Sequence, residues 1–272
     1  MDPRMEINRA LWDELVGVHV RAPDSYDLDS FRAGRNTLRS IELEEMGDVR
    51  GKRLLHLQCH FGMDTISWAR HGAHVVGTDF SPEAITLARQ LSKEANVAAE
   101  FVCSNLYGLT QSLDGLFDIV FTSYGVLCWL PDLDVWGKII EHFLAPGGFF
   151  YIIEHHPVGG MLSDRDGELI ATSSYFDTGP IEEISDGSYA DRSAILANKT
   201  SYQWQHPLSK IINVLTTNGL HVEFLHEFPF CMFQWLPSMA KDGDGWWRIP
   251  GRDDVPFSFS LKASKSEASQ PS

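Results

Sequence analysis

Short apolar runs alternate with helix-forming segments through the middle of the chain. The apolar runs, each as long as a buried strand, are residues 54–57, 74–78, 100–103, 117–121 and 149–153. The helical segments between them are residues 64–70, a stretch that opens at Ser81-Pro82, and residues 134–143. Strands that alternate with helices predict βαβ units and a mostly parallel sheet.

The same pattern continues near the end of the chain. Residues 208–217 have helical spacing, Gly219 follows as a helix stop, and residues 222–225 form an apolar run. A last apolar run, residues 257–261, is predicted to pair antiparallel with it. The fold class predicted is therefore α/β, a doubly wound, seven-stranded and mostly parallel sheet with an antiparallel last pair.

Two regions interrupt the alternation and set the expected domain boundaries. Apolar residues at helical spacing over 4–18, and a second helix over 36–46, predict an N-terminal helical lid; a Gly- and Ser-rich stretch later in the chain predicts a cap insertion. The expected divisions are 1–50 as the lid, 51–156 as the core, 157–205 as the cap, 206–263 as the rest of the core with its antiparallel last strands, and 264–272 as a disordered tail.

Composition and charge narrow the class of protein. The 272 residues carry a net charge of −15, and no local Lys/Arg cluster offsets it, so nucleic acid and anionic membrane surfaces are disfavoured partners. The four cysteines are scattered without a C-x-x-C pair, which is typical of a reducing cytoplasm. With neither a secretory signal nor a membrane-length apolar run in the sequence, we expect a cytoplasmic protein.

The turn after the first strand is the first candidate site. Strand, Gly-containing turn, helix, strand and a terminal acid is the general nucleotide-binding arrangement, and Asp79 ends the second strand where a carboxylate can accept both ribose hydroxyls. Gln58 and His60 stand where a dinucleotide fingerprint has glycines, so a pyrophosphate would be crowded. Asp79 as a helix cap, and Cys59 and His56 as core residues, are the structural alternatives.

At these residues the chain resembles the class I S-adenosylmethionine (SAM)-dependent methyltransferases. Residues 54–62, Leu-Leu-His-Leu-Gln-Cys-His-Phe-Gly, resemble the first motif of that superfamily, and residues 76–82, Val-Gly-Thr-Asp-Phe-Ser-Pro, resemble the second. Asn105-Leu106, residues 117–120 and residues 144–148 resemble the later motifs in correct order, over about residues 53–154. His56 replaces the usual Asp, and only the last glycine of the first motif is kept.

The resemblance implies SAM as cofactor, S-adenosylhomocysteine as product, and no metal. It implies that residues of the first motif line the methionine part of SAM. Residues of the second motif would hold the ribose, and Asn105-Leu106 would contact the adenine. The cofactor-binding residues so implied are Gln58, His60, Gly62, Asp79, Phe80, Asn105, Leu106 and, near the sulfonium, Tyr124.

Glu154-His155-His156 follows the fifth strand at the edge where acceptors bind, so His155 and His156 are the candidate general bases. Residues alternate between the faces of a strand, and not all three side chains can point inward. A solvated pair of loop histidines is the alternative, and a metal site is disfavoured because no third ligand lies at a recognisable spacing.

Aromatic residues supply the expected acceptor pocket. Tyr26 in the lid, Trp129 after the fourth strand, and Phe233 and Trp235 in a late aromatic loop are the candidate substrate residues. Ordinary core or cap packing is the alternative for each. The N-terminal segment, with Trp12 and His19, resembles a lid over SAM, or alternatively an arm at a homodimer interface.

These features predict methyl transfer to a small, aromatic metabolite. Natural-product methyltransferases of secondary metabolism look similar overall, including some that methylate a carbon or nitrogen of indole-containing compounds. One alternative is an NAD(P)-dependent oxidoreductase, which would need the glycine fingerprint and a Tyr-x-x-x-Lys or similar pair that the chain lacks. The other is a non-catalytic SAM-binding regulatory protein, since a fold does not fix a function.

Overall fold

The computed structural model describes residues 2–165 and 167–267. The helices are α1 (Pro3–Val20), α2 (Leu28–Arg32), α3 (Ser40–Met46), α4 (Met63–Arg70), α5 (Pro82–Glu94), α6 (Leu133–Phe143) and α7 (Leu208–Thr217). The strands are β1 (Arg53–Leu57), β2 (His74–Asp79), β3 (Glu100–Cys103), β4 (Phe117–Thr122), β5 (Leu144–His155), β6 (Leu162–Arg165), β7 (Glu168–Ala171), β8 (Ile181–Ile184), β9 (Thr200–Gln203), β10 (Leu220–Phe228), β11 (Ala240–Lys241), β12 (Trp247–Arg248) and β13 (Ser258–Lys265).

Seven strands form the central sheet in the order β10-β13-β5-β4-β1-β2-β3. β1 lies between β2 and β4 and runs parallel to both, and β13 runs antiparallel to both β5 and β10. The predicted doubly wound, mostly parallel sheet with an antiparallel last pair is confirmed. The strand order reverses beside β1, which opens a crevice at the carboxyl edge of the sheet where ligands of this architecture bind.

Adjacent residues of the central strands pack on opposite faces of the sheet, as the pleat requires. Val120 belongs to the core cluster that α6 and α7 cover, with Trp136 at its centre. Phe121 belongs to the cluster on the other face, against α3 and α4, where Trp68 packs edge-on to it at 5.7 Å between ring centroids. Both faces are therefore buried, which explains why these strands are continuous apolar runs rather than alternating ones.

The N-terminal segment and the cap lie against each other at the carboxyl edge. α1 starts at the Asp2 cap and packs on α5 and β9. Between residues 157 and 205 the cap contains two hairpins, β6 with β7 and β8 with β9. α1 thus contacts both the core and the cap segment of its own chain. Its roles as a lid over the cofactor and as a homodimer arm stay predictions.

Some predicted boundaries differ from the structure. The helix expected over 36–46 begins only at Ser40, and the short helix α2 was not predicted. Strand β13 reaches Lys265, whose Nζ donates to the Glu141 and Leu144 carbonyls, so the tail predicted from residue 264 does not start there. Residues 268–272 of that predicted tail lie outside the described residues.

Within residues 2–165 and 167–267, no helix combines the length and the apolar character needed to cross a membrane.

Candidate functional site

A cavity of about 750 Å³ opens at the carboxyl ends of the parallel strands. Its walls come from the sheet edge, from the lid and from the cap. Every residue that the sequence pointed to as a site residue lines this cavity: Tyr26, Gln58, His60, Gly62, Asp79, Phe80, Asn105, Leu106, Tyr124, Trp129, His155, His156, Phe233 and Trp235. The tertiary structure thus brings together segments that are far apart in the sequence.

The turn after β1 has an unusual backbone. Gln58 and His60 adopt φ angles of 54° and 51°, in the left-handed region that glycine normally occupies. Gly62 has φ 75°, and a Cβ placed there would lie 2.5 Å from the Phe101 ring. The turn therefore keeps the shape of a glycine-rich turn while carrying two long polar side chains, and strain of this kind concentrates at functional sites.

Asp79 ties this turn to the end of β2. Its Oδ2 accepts a hydrogen bond from the His60 amide at 2.8 Å, and its Oδ1 accepts one from the Ser81 amide at 2.9 Å. Ser81, rather than Asp79, caps α5, because its Oγ accepts from the Ala84 amide at 3.0 Å. A carboxylate has about four acceptor positions, so capacity remains for a ligand. Burial raises the pKa of Asp79 to about 6.

Gln58 presents an unsatisfied acceptor in the cavity wall. Its Nε2 donates to the Val126 carbonyl at 3.1 Å, whereas its Oε1 is buried and has no hydrogen-bond partner among the described residues. A buried acceptor without a partner is costly, so a ligand that donates a hydrogen bond here would relieve a real penalty.

Two histidines join the lid, the turn and the cap. His19 Nδ1 lies 2.9 Å from His60 Nε2, and His19 Nε2 lies 2.8 Å from the Ser188 hydroxyl. Burial lowers the pKa of His19 to about 4, and burial followed by the charge of His19 lowers the pKa of His60 well below its ordinary value. Both rings are therefore neutral near pH 7 and act here as hydrogen-bonding groups.

The prediction that Glu154, His155 and His156 all follow the fifth strand is wrong for the first two, because β5 continues to His155. Glu154 binds the backbone of the turn after β4. Its carboxylate accepts hydrogen bonds from the amides of Gly125, Val126 and Leu127 at 2.5, 2.8 and 3.0 Å. It thereby fixes the turn after β4, and Trp129 donates from its indole Nε1 to the Gly125 carbonyl in the same turn.

The two histidines that follow Glu154 differ in how firmly the protein holds them. His156 is buried; its Nδ1 accepts from the Val158 amide at 3.1 Å and its Nε2 lies 2.8 Å from Glu227 Oε1. The His155 ring instead lies against Phe233 and Trp235, with centroids 5.0 and 5.3 Å away. Burial lowers the pKa of His155. His155 is thus the better placed of the two candidate bases.

Two carboxyl groups that the sequence did not single out also line the cavity, one of them buried and the other half-buried. Glu42, on α3, is only 2% exposed and accepts a hydrogen bond from the Tyr124 hydroxyl at its Oε2, at 3.1 Å. Asp64, in the first turn of α4, accepts one from the Thr37 hydroxyl at 2.6 Å. The acidic first turn of α4 could have indicated Asp64, but nothing in the sequence separates Glu42 from the two acids that follow it on the same helix.

Aromatic rings also line the cavity. Tyr26 stacks on His19 with centroids 4.9 Å apart, and its hydroxyl hydrogen-bonds that of Tyr189 in the cap. Phe233 stacks on Trp235 at 5.9 Å between centroids. The same side chains therefore pack against other rings and line the cavity.

The expectation of a hydrogen-bonded core His56 is confirmed, since its ring nitrogens lie 2.8 and 3.1 Å from the Thr65 and Ser123 hydroxyls. Cys59 is buried, as expected for a core residue. In the described part of the chain, no three His, Cys, Asp or Glu side chains are grouped so that they could hold a metal ion.

Comparison with known proteins finds a matching family and a curated relative. Residues 55–152 match the family of methyltransferase domains. The ubiquinone biosynthesis O-methyltransferase of Xanthomonas euvesicatoria pv. vesicatoria (strain 85-10) is 28% identical over 151 residues, which are 54% of this chain and 63% of that protein. The chain thus spans less than two thirds of the length of this curated relative.

Solved structures of S-adenosylmethionine-dependent methyltransferases share the fold. That from Mesorhizobium loti matches with a TM-score of 0.60 and 20% identity, covering 86% of this chain and all of the other. That from Clostridium acetobutylicum ATCC 824 matches with a TM-score of 0.56 and 12% identity, covering 83% of this chain and 89% of the other. Residues 55–152 thus match a family of methyltransferase domains, and the chain shares the seven-stranded fold of these solved methyltransferases.

Proposed function

We propose that this chain transfers a methyl group from SAM to a small, flat and largely apolar acceptor. The observation that carries the proposal is the single cavity, because it extends from the nucleotide-binding end, at Asp79 and Asn105, to an aromatic end at His155 and Trp235. A cofactor and an acceptor could therefore meet in one continuous cavity, which is what a transfer reaction requires.

The residues present fit SAM. The orphaned Gln58 Oε1 can accept a hydrogen bond from the ammonium group of a bound amino acid, and Asp79 has acceptor capacity left for the ribose hydroxyls. Phe80, Asn105 and Leu106 line the part of the cavity where β2 and β3 end, which suits an adenine. SAM, when bound, supplies a methyl group that is already activated by its positive sulfur.

The protein contributes enclosure and orientation. α1 and the cap cover the edge of the sheet, and the His19 contacts to His60 and Ser188 join these parts over the cavity. Excluding water protects the methyl group from hydrolysis, and holding two reactants in line removes much of the entropic cost of the reaction.

The aromatic walls favour a flat acceptor. Burying one ring of the acceptor against Trp129, Phe233 and Trp235 would contribute a few kcal/mol at roughly 25 cal/mol per Å². The net charge of −15 works against polyanionic substrates. Phenols and indoles, including indole-containing natural products, are the acceptor classes that meet both conditions.

A turnover screen with labelled SAM tests the function. The acceptors are indoles, phenols, diketopiperazines, fatty acids, amino acids, nucleotides and tRNA, and methylation of one or more of the small aromatic compounds is expected. Methylation confined to tRNA, protein or sugar phosphates would overturn the assignment of the pocket. SAM binding without turnover on any acceptor would favour a regulatory SAM-binding protein, and NADH binding without SAM binding would overturn the function itself.

A further inference from the structure

The acceptor end of the cavity contains a buried acid paired with a phenol. Glu42 lies in the N-terminal segment and Tyr124 lies in the turn after β4, 82 positions away in the sequence. The Tyr124 hydroxyl donates a hydrogen bond to the Glu42 carboxylate. The ring of Tyr124 lies beside those of His155 and Trp246, at 6.4 and 6.3 Å between centroids. The pair therefore lies next to the aromatic walls proposed to hold the acceptor.

Each of the other acidic side chains of the cavity also has a partner within the protein. Asp79 holds the turn after β1, Glu154 holds three backbone amides, and Asp64 accepts from the Thr37 hydroxyl. The Tyr124 hydroxyl, by contrast, is a group that an acceptor of similar polarity could join or replace. Glu42 is thus the cavity carboxylate whose hydrogen-bond partner lies beside the aromatic rings proposed to hold the acceptor.

We infer that the atom methylated is a hydroxyl oxygen or an amine nitrogen, that the Tyr124 hydroxyl positions it, and that Glu42 takes its proton. This inference rests on the proposed function. The O–H or N–H bond breaks and the proton goes to a Glu42 carboxylate oxygen. The electron pair left on the acceptor forms the bond to the methyl carbon, the carbon–sulfur bond breaks, and a neutral thioether leaves.

The electrostatic surroundings support Glu42 over His155 as the proton acceptor. Burial is the main cause that raises the pKa of Glu42 to about 7, and the negative charge of Asp64 adds to it, whereas burial lowers the pKa of His155. A base is most effective when its pKa lies near the working pH. The other ionisable groups that face this pair are Arg39, the residue just before α3, and Tyr151, whose hydroxyl donates to Glu45.

The test compares E42Q with E44Q, which removes the same charge from an exposed position of the same helix. With a phenol or amine acceptor, E42Q should lower kcat by roughly 10²–10⁴-fold, while E44Q retains wild-type kcat. SAM affinity should be unchanged in both. A nitrophenol that is already ionised at the assay pH needs no base, so E42Q should methylate it at close to the wild-type rate.

A second readout does not depend on activity. Because the folded pKa of Glu42 lies above its ordinary value of 4.5, its contribution to stability is complete below pH 4.5 and is lost as the pH rises through about 7. As the pH rises from 5 to 8, the thermal midpoint of E42Q should therefore rise relative to that of the wild type. The thermal midpoint of E44Q should not change relative to that of the wild type.

Three results would overturn the inference. The first is wild-type kcat in E42Q with a phenol or amine acceptor. The second is an equal loss of kcat for the ionised and un-ionised phenols, which would indicate a purely structural role. The third is a loss of kcat in His155→Ala, with kcat retained in E42Q, for acceptors that must lose a proton. If the wild type methylates no acceptor, the proposed function fails and the inference falls with it; the other results leave that function standing.

Discussion

At the scale of single residues, the turn after β1 has the backbone conformation of a glycine-rich turn although two of its residues are not glycine. Gln58 and His60 take backbone angles that cost an ordinary residue about 1–2 kcal/mol each. In exchange, Gln58 supplies a side chain that holds Val126 and offers an acceptor to the cavity. The strain is therefore tied to a ligand-facing side chain rather than to packing.

This strain predicts an inverted order of stability at position 58. Gln58→Gly should be more stable than Gln58→Ala by about 1 kcal/mol, because only glycine relaxes at that φ, and both variants should bind SAM more weakly. Urea unfolding and calorimetry measure the two effects. Asn96, exposed and with φ 52°, is the matched position outside the cavity and should show the same Gly-over-Ala order with SAM affinity unchanged. Equal stability of the two position-58 variants would show that the turn is not strained.

Asp79 is the second residue-scale test. Asp79→Asn removes the charge that is proposed to hold the ribose hydroxyls, so SAM binding should weaken by roughly 1.5–3 kcal/mol, the range for a hydrogen bond to a charged group. Isothermal calorimetry measures the affinity. Glu83→Gln, an exposed acid in the first turn of α5, controls for the loss of one negative charge. A folded Asp79 variant with wild-type affinity would contradict the assignment.

At the scale of elements, the buried side chain of Asn8 is one of several that hold α1 to the cap. Asn8, 1% exposed, donates from Nδ2 to the Tyr202 carbonyl at 2.7 Å and accepts at Oδ1 from the Tyr202 amide at 2.8 Å. These two hydrogen bonds attach α1 to the edge of β9. The lid and the cap are thereby joined into one cover over the cavity.

Asn8→Ala should loosen that cover. It leaves a backbone donor and acceptor of Tyr202 without partners, which costs about 1–3 kcal/mol, and the Tyr202 amide should exchange faster with solvent. Hydrogen exchange detected by mass spectrometry checks the second effect. Glu6→Gln alters only a surface ion pair on the same helix and should leave exchange at β9 unchanged. Unchanged protection of Tyr202 in Asn8→Ala would mean that the cap is held by other contacts.

At the scale of the whole molecule, the net charge of −15 bears on the cofactor as well as on the acceptor. SAM carries a net positive charge and its product, S-adenosylhomocysteine, carries none. A negatively charged protein attracts the first over a distance set by the Debye length, which shortens from ~30 Å in 0.01 M salt to ~10 Å in 0.1 M salt.

The association rate of SAM should therefore fall several-fold between those two salt concentrations, and that of S-adenosylhomocysteine should stay nearly constant. Stopped-flow mixing with detection by tryptophan fluorescence measures both rates. Equal salt dependence for the two ligands would show that the overall charge does not guide the cofactor.

Much of this molecule was determined by contiguous sequence. The order of strands and helices, the cap of α5 at Ser81 and the position of Asp79 all follow from periodicity and from local capping chemistry, which short segments encode by themselves. For the same reason the residues that follow parallel strands could be assigned to one edge of the sheet before the structure was known, and the structure places them around one cavity.

Other features were decided only by the tertiary structure. The sequence grouped Glu154 with the two histidines after it, and only the position of the turn after β4 makes it a backbone-binding group. Glu42 resembles the acids beside it on α3 until the fold buries it against Tyr124, 82 positions away in the sequence. Burial and partner choice depend on which distant segments meet, and a local pattern of polar and apolar residues carries no information about that meeting.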